Sequence, residues 1–408
     1  MDELYRTANV LVRRIAGPDP TQWVVTFDNY GLGPGFDRPG FGEAFLQSQG
    51  VSAIHIMGCK DDWYQYPEMV EACAAVREAV ARAERVMTYG SSMGGYAALR
   101  FAEAVGANAI LALSPQYSIQ REHVPQENRW QEDAERIEWQ DFSHHPIRTQ
   151  AKALVILDSL GPDRWQGERI AQDSDATLIE LPHAGHPVTT YLSEIGLLTS
   201  IVLKALNGDL DPAWLRKESR RLSRHSGIYL ALLARSQPAW RAQTALALAR
   251  RAVDQSPRDP GTLSALAVML TVTKRFDEAI ALHERLLEMA GRLPDYLIPY
   301  GETLLAAKRT AETCAVAAEV VEAMPHSAHI RAWAGHLFWK SNAPAQARQS
   351  MQEAVRLNPG NRTYRMLLAT YRSSKPDNTA PNGIKFTPRV RLIRWWAGLS
   401  LPVGQPKT

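Results

Sequence analysis

Pro257, Gly291, Pro325 and Pro359 follow one another at intervals of 34 residues, and Ala245, Ala279, Thr313 and Ala347 keep the same interval. A repeat of that length is one supersecondary unit that buries its apolar face only on its neighbours, so this stretch must stack into a solenoid. Two segments, Arg275–Leu282 and Ala343–Arg348, read as the start of a second helix in a unit, with an alanine that permits close helix contact. Leu357-Asn358-Pro359-Gly360-Asn361 closes a unit. The first half of the chain cannot be part of this array. Up to about residue 205 it alternates short apolar runs with amphipathic stretches, which is the pattern of a mostly parallel sheet covered by helices. The expected strands are 23–27, 53–57, 85–89, 109–113, 153–157 and 177–181. A helix is expected over 67–84, behind a proline suited to its first turn.

Asn207-Gly208-Asp209-Leu210-Asp211-Pro212 joins the two patterns, with a glycine placed to end one helix and Asp-Pro placed to begin another. This divides the chain into segments 1–209, 210–375 and 376–408. At 408 residues, with 45% hydrophobic and 22% charged residues and a net charge of only +3, it is expected to be an ordinary soluble protein of more than one domain. That charge does not call for a nucleic-acid partner. The N-terminal residues lack a signal-peptide pattern, and no stretch is long enough to span a bilayer, so a cytoplasmic location is expected. Cys59, Cys73 and Cys314 have no disulfide or zinc spacing and read as packed thiols. No metal or other cofactor is expected.

The chemistry concentrates at Gly90-Ser91-Ser92-Met93-Gly94, between the apolar run Arg85–Tyr89 and the helical run Gly95–Ala102. A serine held on a strand-to-helix turn needs small residues on both sides, because its neighbours must clear the closely packed strand and helix. Ser92 is therefore the candidate nucleophile. Downstream, Ala184-Gly185-His186-Pro187 follows the last expected strand, and Gly185 allows the tight turn that a loop bearing a base requires. His183 lies in the same loop and competes with His186.

The order strand, G-x-S-x-G, helix, with later acids and then a histidine, resembles the α/β-hydrolase family of serine enzymes over about residues 8–206. The resemblance implies a doubly wound, mostly parallel sheet and a triad in the chain order serine, acid, histidine. The acid falls in the loop after 153–157, where Asp163 and Asp158 are both available. The family's usual placement, just before the next helix, favours Asp163 and leaves Asp158 to fix the loop. The resemblance also implies an oxyanion hole built from the backbone N–H of Met93 and of Asn29, with Asp28 as the alternative to Asn29; here the chain departs from the family's common His-Gly. The repeats resemble tetratricopeptide (TPR) units over about residues 224–359, with a closing helix at 361–371, although much of that family's aromatic and glycine signature is missing.

Trp63 and Tyr64, in the loop after 53–57, lie at the sheet edge where ligands bind and are expected to line the substrate site. The long charged segment 118–146 reads as a small lid, with His144 and His145 on its surface. The tail after Asp377 interleaves Lys385, Arg389, Arg391 and Arg394 with Trp395 and Trp396. It suits an anionic membrane or a protein surface, but a short basic stretch binds membrane weakly, so packing on its own domain is favoured. The resulting expectation is a serine hydrolase that forms an acyl-enzyme on Ser92 from an ester or thioester, with acylated saccharides or glycoconjugates among the candidates, and whose repeats bind a protein. An acyltransferase with the same residues and a non-catalytic scaffold are the alternatives.

Overall fold

A computed structural model describes residues 2–373; the tail discussed above lies outside them. The chain divides into two compact units, the first ending at Tyr229 and the second starting at Leu230.

The first unit is built on an eight-stranded sheet with the order β1-β2-β4-β3-β5-β6-β7-β8. Its strands are β1 (Asp2–Arg6), β2 (Val10–Ile15), β3 (Gln22–Phe27), β4 (Ser52–Gly58), β5 (Arg85–Ser91), β6 (Ala109–Leu113), β7 (Lys152–Leu157) and β8 (Thr177–Glu180). From β4 to β8 all neighbours run parallel, while β1 and β2 form an antiparallel edge. The parallel strands are near-continuous apolar runs because helices cover both faces. The helices are α1 (Glu43–Ser48), α2 (Met69–Ala79), α3 (Met93–Arg100), α4 (Gln131–Arg136), α5 (Asp163–Asp173), α6 (Val188–Glu194), α7 (Leu198–Asn207) and α8 (Pro212–Leu222). One core joins Val25, Ile54 and Met93 to α2 and α3, and another joins Met87, Leu111 and Ile156 to α6, α7 and Leu215 of α8.

Four features depart from the sequence reading. The β1–β2 hairpin is absent from the expected strands: β1 is exposed or half-buried and carries no apolar run, and in β2 the buried apolar part is only Val10-Leu11-Val12. The helix over 67–84 shortens to α2. The first unit extends past Asp209, because α8 packs on the sheet side: Leu215 is fully buried and the Tyr191 hydroxyl bonds Ser219. Segment 118–146 is no loose cover either, since it sends Ile119, Trp130 and Ile137 into the core.

α9 (Gly227–Ser236) leads into the second unit, where α10 (Ala242–Gln255), α11 (Pro260–Val272), α12 (Phe276–Ala290), α13 (Pro294–Ala306), α14 (Thr310–Ala323), α15 (Ala328–Lys340), α16 (Pro344–Leu357) and α17 (Arg362–Ser373) form antiparallel hairpins. Each packs on its sequence neighbours, and α13 also packs on α11 and α15. The small residues at the 34-residue interval sit in the seams: Ala245, Ala279, Thr313 and Ala347 are all buried. Thr313 fits the alanine position because its hydroxyl bonds the Arg309 carbonyl of its own helix at 2.9 Å. Among the described residues no single helix is long and apolar enough to cross a membrane.

Candidate active site

β5 ends in the turn that carries Ser92, whose backbone lies at φ 54°, ψ −117° before α3 begins. Such a conformation costs a non-glycine residue on the order of 1–3 kcal/mol and survives only where the surroundings enforce it. They do so here through the glycines. A Cβ on Gly90 would stand 2.1 Å from the Gly94 carbonyl oxygen, and one on Gly94 would stand 2.4 Å from that of Phe27. The Ser92 N–H donates to the Leu113 carbonyl at 2.9 Å, which fixes the turn against β6.

The histidine loop is led back across the sheet by two polar groups at strand ends. Asp158, just past β7, accepts from the His183 N–H at 3.1 Å and the Gly185 N–H at 2.9 Å. Ser114, just past β6, accepts from the Val188 N–H at 3.0 Å. Between these anchors His186 reaches Ser92, with Nε2 2.9 Å from the serine Oγ. Its Nδ1 lies 2.7 Å from Asp163 Oδ2. An ionised carboxylate only accepts, so Nδ1 carries the proton, Nε2 is left as acceptor and the serine O–H donates to it. His183 is elsewhere: its ring packs edge-on against Tyr229 at 5.8 Å. Asp158, weighed as an alternative acid, spends both oxygens on backbone N–H groups, including that of Leu160, and makes no contact with His186.

Asp163 is 1% exposed and does not stand alone. Its second oxygen takes Arg129 Nη1 at 2.7 Å, and Arg129 in turn grips Glu127 through Nε and Nη2. Gln166 Nε2 donates to Glu127 at 2.9 Å. Burial would raise the Asp163 pKa, but His186 and Arg129 outweigh it and hold the carboxyl below its usual range. Glu127 is lowered as well, because Arg129 overcomes its burial. Asp158 is raised, because its burial outweighs the backbone N–H groups of Leu160 and Gly185 that it accepts.

Sequence reasoning missed Arg129, Glu127 and Gln116. Gln116 is fully buried, and its Nε2 lies 3.3 Å from Ser92 Oγ. Trp130 packs edge-on to His186 at 5.5 Å, Trp63 packs on Trp130 at 5.6 Å, and Tyr30 on Trp63 at 5.5 Å. The assignment of Trp63 and Tyr64 to a substrate surface is thereby corrected: they are 0% and 1% exposed. Their rings fill the space under the loop, and the Tyr64 hydroxyl donates to the Ile56 carbonyl at 3.0 Å. That same hydroxyl accepts the Asp28 N–H, which removes Asp28 as an oxyanion donor. The Met93 N–H, at the start of α3, and the Asn29 N–H have no hydrogen-bond partner among the described residues.

A cavity of about 400 Å³ adjoins this arrangement, lined by Asn29, Tyr30, Arg38, Phe41 and Thr190 and walled by Ser91 and Pro187, the chain neighbours of Ser92 and His186.

No family model matches the sequence, and no curated protein does. Solved structures of TPR proteins are similar to part of the chain. YrrB, a TPR protein with an unusual peptide-binding site, is 14% identical over 45% of this chain and 91% of its own, with a TM-score of 0.33. TTC0263, a thermophilic TPR protein in Thermus thermophilus, is 20% identical over 32% and 73%, with a TM-score of 0.29. MamA from Desulfovibrio magneticus RS-1 is 21% identical over 35% and 83%, with a TM-score of 0.30. By its own structure the second unit is a helical repeat region.

Proposed function

We propose that the first unit is a serine enzyme of the α/β-hydrolase type that transfers an acyl group from an ester or thioester through Ser92. The observation that carries this reading is the continuous chain Ser92 Oγ, His186 Nε2, His186 Nδ1, Asp163 Oδ2, with links of 2.9 and 2.7 Å. In it the serine oxygen attacks the carbonyl carbon as His186 takes its proton, the leaving group departs with that proton, and water then repeats the sequence to free the acid. Electrostatics support the same reading. Asp163, Glu127 and Arg129 together carry one net negative charge, which an imidazolium at His186 neutralises. The N–H groups of Met93 and Asn29 supply the oxyanion donors, Met93 with the added field of the α3 N-terminus. The cavity walled by Ser91 and Pro187 combines rings with polar groups, which suits an acylated saccharide or glycoconjugate.

The helical repeats support a second role, binding of a protein partner, because stacked hairpins offer an extended surface. If the first unit is only a platform, that role is the whole function, and the chain is a scaffold. The two readings separate in one experiment. A fluorophosphonate probe labels the parent at Ser92 and fails on Ser92→Ala, whose unfolding midpoint stays close to the parent's. Equal labelling of the two proteins, or none of the parent, leaves the scaffold. Product analysis with and without an added sugar hydroxyl then distinguishes hydrolysis from transfer.

A further inference from the structure

We infer that Gln116 is a further catalytic residue, a hydrogen-bond donor to the reacting oxygen of Ser92, and that Trp63 is the positioning residue that aims it. The inference rests on the serine-nucleophile reading above. A glutamine amide can sit either way round, and the neighbours decide which. Here both neighbours agree. Trp63 Nε1 lies 3.2 Å from Gln116 Oε1, and an indole N–H only donates, so the atom facing it must be the amide oxygen. On the other side Nε2 lies 3.3 Å from the Ser114 carbonyl, which only accepts. The amide nitrogen has a second N–H, and it points at Ser92 Oγ, 3.3 Å away. Both N–H donors of the buried amide group and one of the two acceptor sites on its oxygen are thereby used.

The serine oxygen has room for this donor. Its own proton goes to His186 Nε2, which leaves lone pairs that face Gln116. When Oγ forms its bond to the acyl carbon and loses its proton to Nε2, negative charge builds on Oγ before the new bond is complete. The Gln116 bond strengthens at that stage and again when Oγ leaves in deacylation, in a site where Ser92 is 1% exposed and bulk water cannot supply the donor. The position of Trp63 is itself enforced. Trp63 and Tyr64 both have positive φ, 50° and 59°, an arrangement that two bulky residues adopt only where the fold compels it. The Tyr64 hydroxyl pins the loop to Ile56 and Asp28. An orientation held at this expense serves the indole N–H as well as its ring.

The test measures the second-order rate of fluorophosphonate labelling of the full chain, with mass spectrometry locating the adduct at Ser92. Gln116→Met is expected to slow labelling ~10-fold or more, and Trp63→Phe, which keeps a ring and removes the N–H, ~3-fold to 10-fold. The double variant is expected to be no slower than Gln116→Met, because the indole N–H that Trp63→Phe removes acts only through the amide. Gln116→Glu guards against misfolding of the methionine variant. As a carboxylate it has no donor for Ser92, and protonation restores one, so its rate relative to the parent recovers as pH falls. Single variants that label at the parent rate, effects that multiply in the double variant, or a flat pH ratio for Gln116→Glu would each overturn the inference while leaving the nucleophile in place. An unlabelled parent removes the nucleophile, and the inference with it.

Discussion

Arg129 sets the charge around Asp163. With side-chain exposure of 3%, its guanidinium is the cation between two buried carboxylates. Removing one partner of a buried pair costs about 3–5 kcal/mol, because the charge left behind has lost both water and its counter-ion. Arg129→Met is therefore expected to lower the unfolding midpoint at pH 7. The sign of its pH dependence follows from linkage. In the parent, Asp163 and Glu127 have depressed pKa values, so their stabilisation is present above the unfolded carboxylate range and is lost as pH falls through their folded values. In the variant Glu127 is buried without a cation and Asp163 keeps only His186, so their pKa values rise and protonation at low pH relieves the penalty. The gap between parent and variant midpoints should narrow from pH 7 to pH 4.5; a constant gap would show that Arg129 acts by packing alone. Ser92, His186 and Asp163 were legible in the sequence because local turn chemistry and chain order mark them. Arg129 and Gln116 were not, since a polar or charged residue in a connecting segment looks like solvated surface until burial shows otherwise. Trp63 and Tyr64 were misread for the opposite reason: a loop at a sheet edge suggests exposure, and only the packing reveals that these rings hold the loop from below.

At the scale of elements, backbone geometry repeats more faithfully than residue type. Lys274, Lys308 and Asn342, again at intervals of 34, all take positive φ near 60° at the turn inside a hairpin. The next N–H returns each time to the carbonyl of the fifth residue back, Arg275 to Leu270, Arg309 to Leu304 and Ala343 to Phe338. That is the helix-ending motif usually marked by glycine. With lysine in two of the three places its signal was hidden, while the proline and alanine spacing remained readable. The parallel strands were readable as apolar runs, and the exposed β1 edge offered no such run. The turn at Ser92 shows the reverse case, in which glycine is required and visible. A Cβ at Gly94 would meet two backbone carbonyl oxygens, at 2.4 and 2.8 Å, which no rotamer change relieves. Gly94→Ala is expected to cost roughly 2–3 kcal/mol and to lower the unfolding midpoint of the first unit by about 5–10 °C, as read by calorimetry. A midpoint within one degree of the parent's would mean that the turn is looser than this packing implies.

For the whole molecule the question is where one folding unit stops. The linker signal at Asn207–Pro212 is real as helix punctuation: Gly208 adopts φ 82° after α7, and the Asp211 side chain caps α8. Punctuation between helices is not a boundary between cores, however. α8 belongs to the sheet unit, with Leu215 fully buried in its core, Arg216 bonded to the Leu178 carbonyl at 2.8 Å and Ser219 bonded to Tyr191. Beyond α8, Ser226 bonds Glu194 and Tyr229 packs on His183, the loop neighbour of His186. A chain cut after Asp209 loses all of these; the buried leucine alone is worth about 1.5–3 kcal/mol. A chain cut after Tyr229 keeps them. Residues 1–229 are therefore expected to unfold in one cooperative transition and to react with a small fluorophosphonate at close to the full chain's rate, whereas residues 1–209 should melt lower and label more slowly. Recognition of a large substrate or partner is expected to disappear from both fragments, since the repeats are missing from each. If residues 1–229 are insoluble, or inert while the full chain is labelled, the helical repeats complete the fold of the sheet unit and the two act as a single body.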